Sequence, residues 1–262
     1  MNSVLIVAMC LFLPFLVSLI IFWFYYVFVK KMRYKKKLSQ TKSDISTSIL
    51  YKLFIAFPRQ LVLDSLNTEP DFFKPFGVHL ICGEQGAGKT MTVNYLCHKY
   101  KLEYPLLKIK SNCGLLIQDG EINSYLDVKN SNNGVYGEID VLDEIQNWFN
   151  SLDSKNFPPA MLSEVTQQRK QRKIILGTSQ VFTRVAKPIR ENTFFVYEPH
   201  TLFGCFTIVF KYKPILSDDG TCDKKKLRDV FFFIQTDELR NSYDTYKKIE
   251  RMDFKDKAQQ ID

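Results

Sequence analysis

The chain has 262 residues, 45% apolar and 24% charged, enough for one α/β domain with a sizeable core plus an appendage. Its formal net charge is +8, but Lys30, Lys31, Arg33, Lys35, Lys36 and Lys37 carry six of those charges, so residues 38–262 are nearly balanced and global basicity gives no ground for a nucleic-acid binder. Six cysteines without a CxxC pair, beside only three histidines, exclude a zinc constellation and fit small buried hydrophobes in a reduced cytosolic compartment.

Residues 4–29 form an apolar run interrupted only by Pro14 and Ser18. A helix of that length, at ~1.5 Å per residue, exceeds the ~30 Å hydrocarbon layer of a bilayer. The run starts uncharged and ends in Trp23-Phe24-Tyr25-Tyr26 before the lysines, which reads as an interfacial aromatic belt with cytoplasmic anchors rather than a cleaved signal peptide. The positive-inside rule then predicts a single-pass protein of the inner, or cytoplasmic, membrane, with ~3 residues outside and residues 30–262 in the cytoplasm. The basic cluster at residues 30–37 serves as the topology signal and meets anionic headgroups.

Residues 38–44 read as a polar linker and residues 45–59 as a lead-in helix, with Ile49, Leu53 and Phe57 at helical spacing. Turn residues fill 67–75, and the core domain opens near Phe76. The expected division is a transmembrane anchor at 1–29, a basic juxtamembrane segment with linker and lead-in helix at 30–75, and a nucleotide-binding domain at 76–262.

Within that domain, residues 78–82, 106–109, 136–142 and 174–178 read as strands, and 89–100 and 158–171 as helices. Strands separated by helix-length segments predict an α/β fold with a mainly parallel sheet covered by helices on both faces. After Arg190 the segments 193–197, 204–212 and 230–236 are aromatic and β-branched, with the turn Ser217-Asp218-Asp219-Gly220 between the last two. They predict a C-terminal antiparallel hairpin that extends the sheet.

Between the first strand and its helix lies Gly83-Glu84-Gln85-Gly86-Ala87-Gly88-Lys89-Thr90, which matches G-x-x-x-x-G-K-[ST] at every fixed position. Such a loop turns backbone N–H groups inward to cradle phosphates at a helix N-terminus. Lys89 reaches the β- and γ-phosphates, and Thr90 offers its hydroxyl to Mg²⁺. The expected ligands are ATP and Mg²⁺, with residues 83–90 and Met91 around the nucleotide. Hydrolysis needs an acidic site at a neighbouring strand tip, and Asp143-Glu144 supplies one: Asp143 for the metal, Glu144 as general base. Asp140 is an unusual residue for the inside of a buried parallel strand. Gln180, at the end of Thr178-Ser179-Gln180, is placed to orient the water or sense the γ-phosphate. Arg169, Arg172, Arg184 and Arg190 are candidates for an arginine finger acting on a neighbouring subunit, with Arg169 and Arg190 ahead.

The run Asp143-Glu144-Ile145-Gln146, Trp148-Phe149, Asn156-Phe157-Pro158, Gln168-Arg169-Lys170, Thr178-Ser179-Gln180 and Ile189-Arg190 resembles the zonula occludens toxin (Zot)-like ATPases, which include the filamentous-phage assembly ATPases, within the wider FtsK/HerA group. The likeness spans roughly residues 76–200, and Ser242-Tyr243-Asp244-Thr245 resembles that family's tail. It implies a homo-oligomeric membrane ATPase that couples hydrolysis to assembly or extrusion of a filamentous virion or its DNA, with coat or assembly proteins as partners. One departure stands out: phage-assembly members place their span after the ATPase domain, whereas here the apolar run comes first. The toxin activity in the family's name has no support in these residues. Two other readings stay open. One is a conjugative or packaging DNA motor whose basic stretch at residues 167–173 touches phosphates. The other is a membrane scaffold that binds ATP without turning it over.

Overall fold

A computed structural model describes residues 2–30, 48–66, 71–217 and 222–243. The basic residues from Lys31 to Lys37, the linker at 38–44, the turn residues 67–70, the residues Asp218-Asp219-Gly220 and the tail from Asp244 onward lie outside the described residues. The chain forms two compact units, Met1–Pro70 and Asp71–Asp262.

The first unit is helical. Helix α1 (Asn2–Phe24) runs on into a π-helical turn at Tyr25–Val29, and one stretch of it, Phe12–Val29, has a mean hydropathy of 2.3. By length and composition this helix is able to cross a membrane. The second helical stretch comprises α2 (Ile49–Tyr51), π-helical Lys52–Ala56 and α3 (Phe57–Leu66), and so extends seven residues beyond the expected end at residue 59. Tyr26, Val62, Leu63 and Leu66 form a small buried cluster, and Arg59 donates from Nε to the Tyr26 hydroxyl at 2.9 Å.

The second unit is a mixed eight-stranded sheet with helices packed on it. In chain order it contains β1 (Gly77–Cys82), α4 (Lys89–Glu103), β2 (Lys108–Ser111), β3 (Gly120–Glu121), α5 (Tyr125–Asn130), β4 (Glu138–Leu142), α6 (Pro159–Gln171), β5 (Lys173–Ser179), α7 (Lys187–Glu191), β6 (Thr193–Leu202), β7 (Phe206–Leu216), β8 (Cys222–Ile234) and α8 (Asp237–Arg240). Across the sheet the order is β3-β2-β4-β5-β1-β6-β7-β8. Every pair from β3 to β6 is parallel; β6–β7 and β7–β8 are antiparallel. The expected parallel core and antiparallel extension are both present.

Strand β1 is buried at all six positions, as a central strand covered on both faces requires. One core layer, with Ile81, Val93, Leu96, Ile109, Val141 and Leu176, lies on the α4 side. The other, with Leu80, Leu142, Met161, Val165 and Ile175, lies on the α6 side. Each fully buried aliphatic side chain contributes about 1.5–3 kcal/mol by leaving water. Helix α6 opens with Pro159 in its first turn, where the missing N–H is no loss, and stops where Arg172 takes a left-handed conformation at φ 55°. Before β4, Gly137 has φ 76°, and a Cβ there would meet Phe73 at 2.2 Å, so only glycine lets the chain pass that buried ring.

Asp140 sits fully buried inside β4 because a lysine on the next strand answers it. Lys173, 1% exposed, lies 2.9 Å from Asp140 and 3.7 Å from Glu164 of α6, and donates to Ser131 Oγ at 2.9 Å and to the Val128 carbonyl. The basic stretch at residues 167–173 is therefore divided: Lys173 is committed to this buried cluster, while Arg169 and Lys170 stay exposed. Lys173 and Gln168 are buried, the Arg172 guanidinium lies 3.5 Å from the Phe72 ring centre, and that of Arg169 lies 5.8 Å from Phe76. Cys82, Cys97 and Cys113 are buried free thiols, as expected, whereas Cys205 is exposed and Cys222 half-buried, which departs from that reading; burial pushes the Cys82 thiol up to about 12.

Candidate functional site

Where β1 ends at Cys82, the chain turns through the glycine loop and enters α4 at Lys89. The Gly83 N–H donates to the Ser179 carbonyl at 3.3 Å, tying the loop to the tip of β5, and Gly88 takes φ 95° as it caps α4. Lys89 is 8% exposed and folds back into the loop, its Nζ 2.9 Å from the Gly83 carbonyl and 3.0 Å from that of Glu84. These carbonyls hold the amine within the loop, beside the cleft that it lines. A phosphate entering that cleft meets a positive charge already in position.

The next residue links the loop to the carboxylate strand. Thr90 Oγ1 lies 3.4 Å from Asp143 Oδ1, and Thr178 Oγ1 of β5 donates to the same oxygen at 2.6 Å. Lys89 and Asp143 therefore sit at the same edge of the sheet, where the parallel strands end. The chain has the P-loop NTPase fold. Its strand order, with β4 and β5 lying on one side of the loop-bearing β1, and the contact from Thr90 to Asp143 are the observations that decide it.

Solved structures similar to this chain include the N-terminal domain of zonular occludens toxin from Neisseria meningitidis, at 18% identity over 64% of this chain and 98% of that one, with a TM-score of 0.46. Another is the genome packaging NTPase B204 from Sulfolobus turreted icosahedral virus 2 in complex with AMPPCP, at 10% identity over 54% of this chain and 98% of that one, TM-score 0.42. A third is the flagellar accessory protein FlaH from Methanocaldococcus jannaschii, at 14% identity over 59% and 84%, TM-score 0.37. No family model matches the chain, and no curated protein matches it.

Asp143 is braced on both sides. Its backbone N–H donates to Asn112 Oδ1 at 2.8 Å, and Asn112 Nδ2 donates back to its carbonyl at 3.1 Å. Burial pushes the Asp143 carboxyl above the usual carboxylate range, against the opposing pull of the Thr178 and Thr90 hydroxyls and of Lys89. Glu144 follows at φ 49° and ψ 50°, a left-handed conformation that costs a non-glycine residue on the order of 1 kcal/mol or more. Its N–H donates to Thr178 Oγ1 at 2.8 Å, and Gln146 Nε2 donates to its carboxylate. The twist sends the Glu144 side chain into a cleft of about 370 Å³, whose wall also carries Gln85, Lys89 and Thr90.

The other sequence candidates separate from this group. Gln180 accepts from the Arg184 guanidinium at 3.0 Å and faces a second cleft of about 640 Å³, with Glu84, Glu198 and Lys225 on its wall. The residue of that strand end which touches Asp143 is Thr178. Arg169 lies by Phe76, just before β1 begins, and Arg190 is 7% exposed in α7, just before β6 begins. Both occupy the edge of the sheet opposite the glycine loop, a strand length of ~20 Å away at ~3.3 Å per residue. Within one chain, neither joins Lys89 and Asp143.

The antiparallel strands add residues that the motif reading omits. Thr201 of β6 donates to the Ala87 carbonyl at 2.9 Å, and Gln235, just past β8, donates to Thr207 at 2.8 Å and Thr201 at 3.2 Å. This polar cluster packs under Gly88, where an added Cβ would lie 2.6 Å from Thr201 Oγ1. Gly88→Ala, with that clash and a positive φ, is expected to weaken nucleotide binding about ten-fold or more, read by titration calorimetry. Among the described residues no cluster of three or more His, Cys, Asp or Glu is arranged to hold a metal ion. A Mg²⁺ bound mainly by phosphates and water needs no such cluster, and one carboxylate with one hydroxyl, Asp143 with Thr90, suits it.

Proposed function

We propose that this protein is a membrane-anchored ATPase that couples ATP hydrolysis to assembly or extrusion of a filamentous phage or its DNA. The observation that carries the ATPase reading is the Thr90–Asp143 contact at the mouth of the glycine loop, with Lys89 inside the loop and Glu144 on the adjoining wall. Residues 83–91 hold the nucleotide, with Lys89 against its β- and γ-phosphates. Thr90 and Asp143 hold Mg²⁺, which when bound neutralises phosphate charge. Glu144 accepts the proton of the attacking water, and Gln180 orients that water only after moving from its bond with Arg184. Arg169 and Arg190, remote within the chain, act across a subunit boundary in a homo-oligomer or not at all.

Helix α1 supports a single span in the inner membrane with the ATPase unit in the cytoplasm. Virion DNA and coat or assembly proteins are the partners that fit such a motor. ATP turnover by the full chain in detergent, with and without single-stranded DNA and coat protein, tests this reading. Turnover is expected in wild type, and its absence under all conditions sinks it.

A conjugative or packaging DNA motor is the second reading. It draws on the antiparallel extension, where Lys213 and Lys226 lie directly opposite each other and Lys211 packs its amine 4.0 Å from the Phe195 ring centre. Like charges opposed on a strand pair are unfavourable unless an anion neutralises them. Stimulation of turnover by DNA that fades steeply with salt, without any response to coat protein, favours this motor.

Magnesium binding supplies a pH test. A metal takes the ionised carboxylate, and the raised Asp143 retains its proton to higher pH than an ordinary aspartate. Mg²⁺-dependent ATP affinity is therefore expected to fall as pH is lowered, and to begin falling at a higher pH than an ordinary aspartate ligand would impose. Under Asp143→Asn the affinity is low and flat as pH is lowered.

A further inference from the structure

We infer that Tyr243 is the platform on which the base of the bound nucleotide stacks. The inference rests on the nucleotide reading above and extends it to a part of the ligand that the glycine loop does not touch. The 370 Å³ cleft at the loop has Lys89, Thr90 and Glu144 for the triphosphate, the metal and the water. Its wall also carries Met91 and Tyr243, the one aromatic ring there among the described residues. A purine brings two flat apolar faces that leave water on binding, and a half-buried aromatic ring beside a thioether is the surface suited to receive them.

The ring is held in place by a buried clamp. Asn94, fully buried on α4 and one turn beyond Thr90, donates from Nδ2 to the Leu239 carbonyl at 2.9 Å and to Ser242 Oγ. Ser242, 6% exposed, donates in turn to the Leu239 carbonyl at 2.8 Å. On the other side, the Leu116 N–H donates to the Ser242 carbonyl at 2.9 Å, and Leu115 forms an antiparallel bridge with Tyr243 itself. Arg240 donates to the Gly204 carbonyl at 2.7 Å, so the β6–β7 turn on the same cleft is tied to this segment too. Tyr243 is therefore fixed against the helix whose N-terminus faces the phosphates. A base that stacks on it loses little to ordering of the protein. The packing of Tyr243 against the core layer under α4 accounts for its half-buried side but not for the side that faces the cleft.

The test uses the full chain in detergent with Mg²⁺. Titration calorimetry compares a non-hydrolysable ATP analogue with inorganic tripolyphosphate, in wild type, Tyr243→Ala and Tyr243→Phe. Tyr243→Ala is expected to weaken the analogue about five-fold to a hundred-fold, the range for one base on one aromatic ring, and to leave tripolyphosphate unchanged. Tyr243→Phe keeps wild-type affinity for both. If Tyr243→Ala weakens both ligands equally, the residue only supports the loop and the inference fails. It fails as well if Tyr243→Ala changes neither. Wild type that binds neither ligand overturns the nucleotide reading, and this inference with it.

Discussion

Glu144→Gln is expected to lower ATP turnover by about 10²–10⁴, the range for loss of a positioned general base, while nucleotide affinity stays within a few-fold of wild type. The amide keeps the size and the left-handed backbone at φ 49°, and its oxygen still accepts from Gln146 Nε2, but it takes no proton from water. Single-turnover hydrolysis alongside calorimetry separates the two effects. Unchanged turnover removes Glu144 from the chemistry, and with it the main ground against a scaffold that binds ATP without hydrolysing it.

The second large effect lies away from the cleft. Lys173→Met is expected to destabilise the protein by about 3–5 kcal/mol, because it leaves Asp140 buried without its partner at 2.9 Å. Burial already pushes the Asp140 carboxyl up, chiefly against the pull of Lys173. An acid whose folded-state pKa is raised costs stability as pH climbs past its unfolded value of about 3.9, so the deficit of the variant shrinks as pH falls toward that value. The double variant Lys173→Met with Asp140→Leu, which removes both charges, is expected to recover much of the loss. Chemical denaturation of the four members of the cycle measures this, and additive losses show that the pair is not coupled.

This ion pair also shows where a sequence reading stops. Asp140 looks out of place in a run of buried β-residues, and nothing nearby in the chain explains it. Its answer lies 33 positions away, at the first residue of β5, and becomes visible only when β4 and β5 are known to be neighbours in register, with Asp140 beside Ile175. Strand β3 and helix α5 escape the periodicity for a simpler reason, being two and six residues long.

The candidate site divides in the same way. Residues 83–91 were legible because a phosphate cradle needs contiguous backbone, and contiguity is what a sequence displays. Asp143-Glu144 was legible because a strand tip carrying two acids after Ile139, Val141 and Leu142 has few other uses. Thr178-Ser179-Gln180 pointed to the correct strand end, but the side chain that reaches Asp143 is Thr178, since Gln180 lies past the last residue of β5 and turns to Arg184. Arg169 and Arg190 matched a pattern of charge near motifs, yet both lie where strands begin rather than end.

By itself, then, the sequence determined the α/β class, the apolar N-terminal helix, the glycine loop and the acidic pair, because each is set by neighbours within a few residues. Only the tertiary structure decided which distant side chains complete the cleft. Strand β6 returns parallel beside β1, and β7 and β8 fold back from it, which carries Thr201, Thr207, Gln235 and Tyr243 to the loop from more than 110 positions away. That convergence depends on strand order, and a period of two along a strand carries no information about which strand lies next to it.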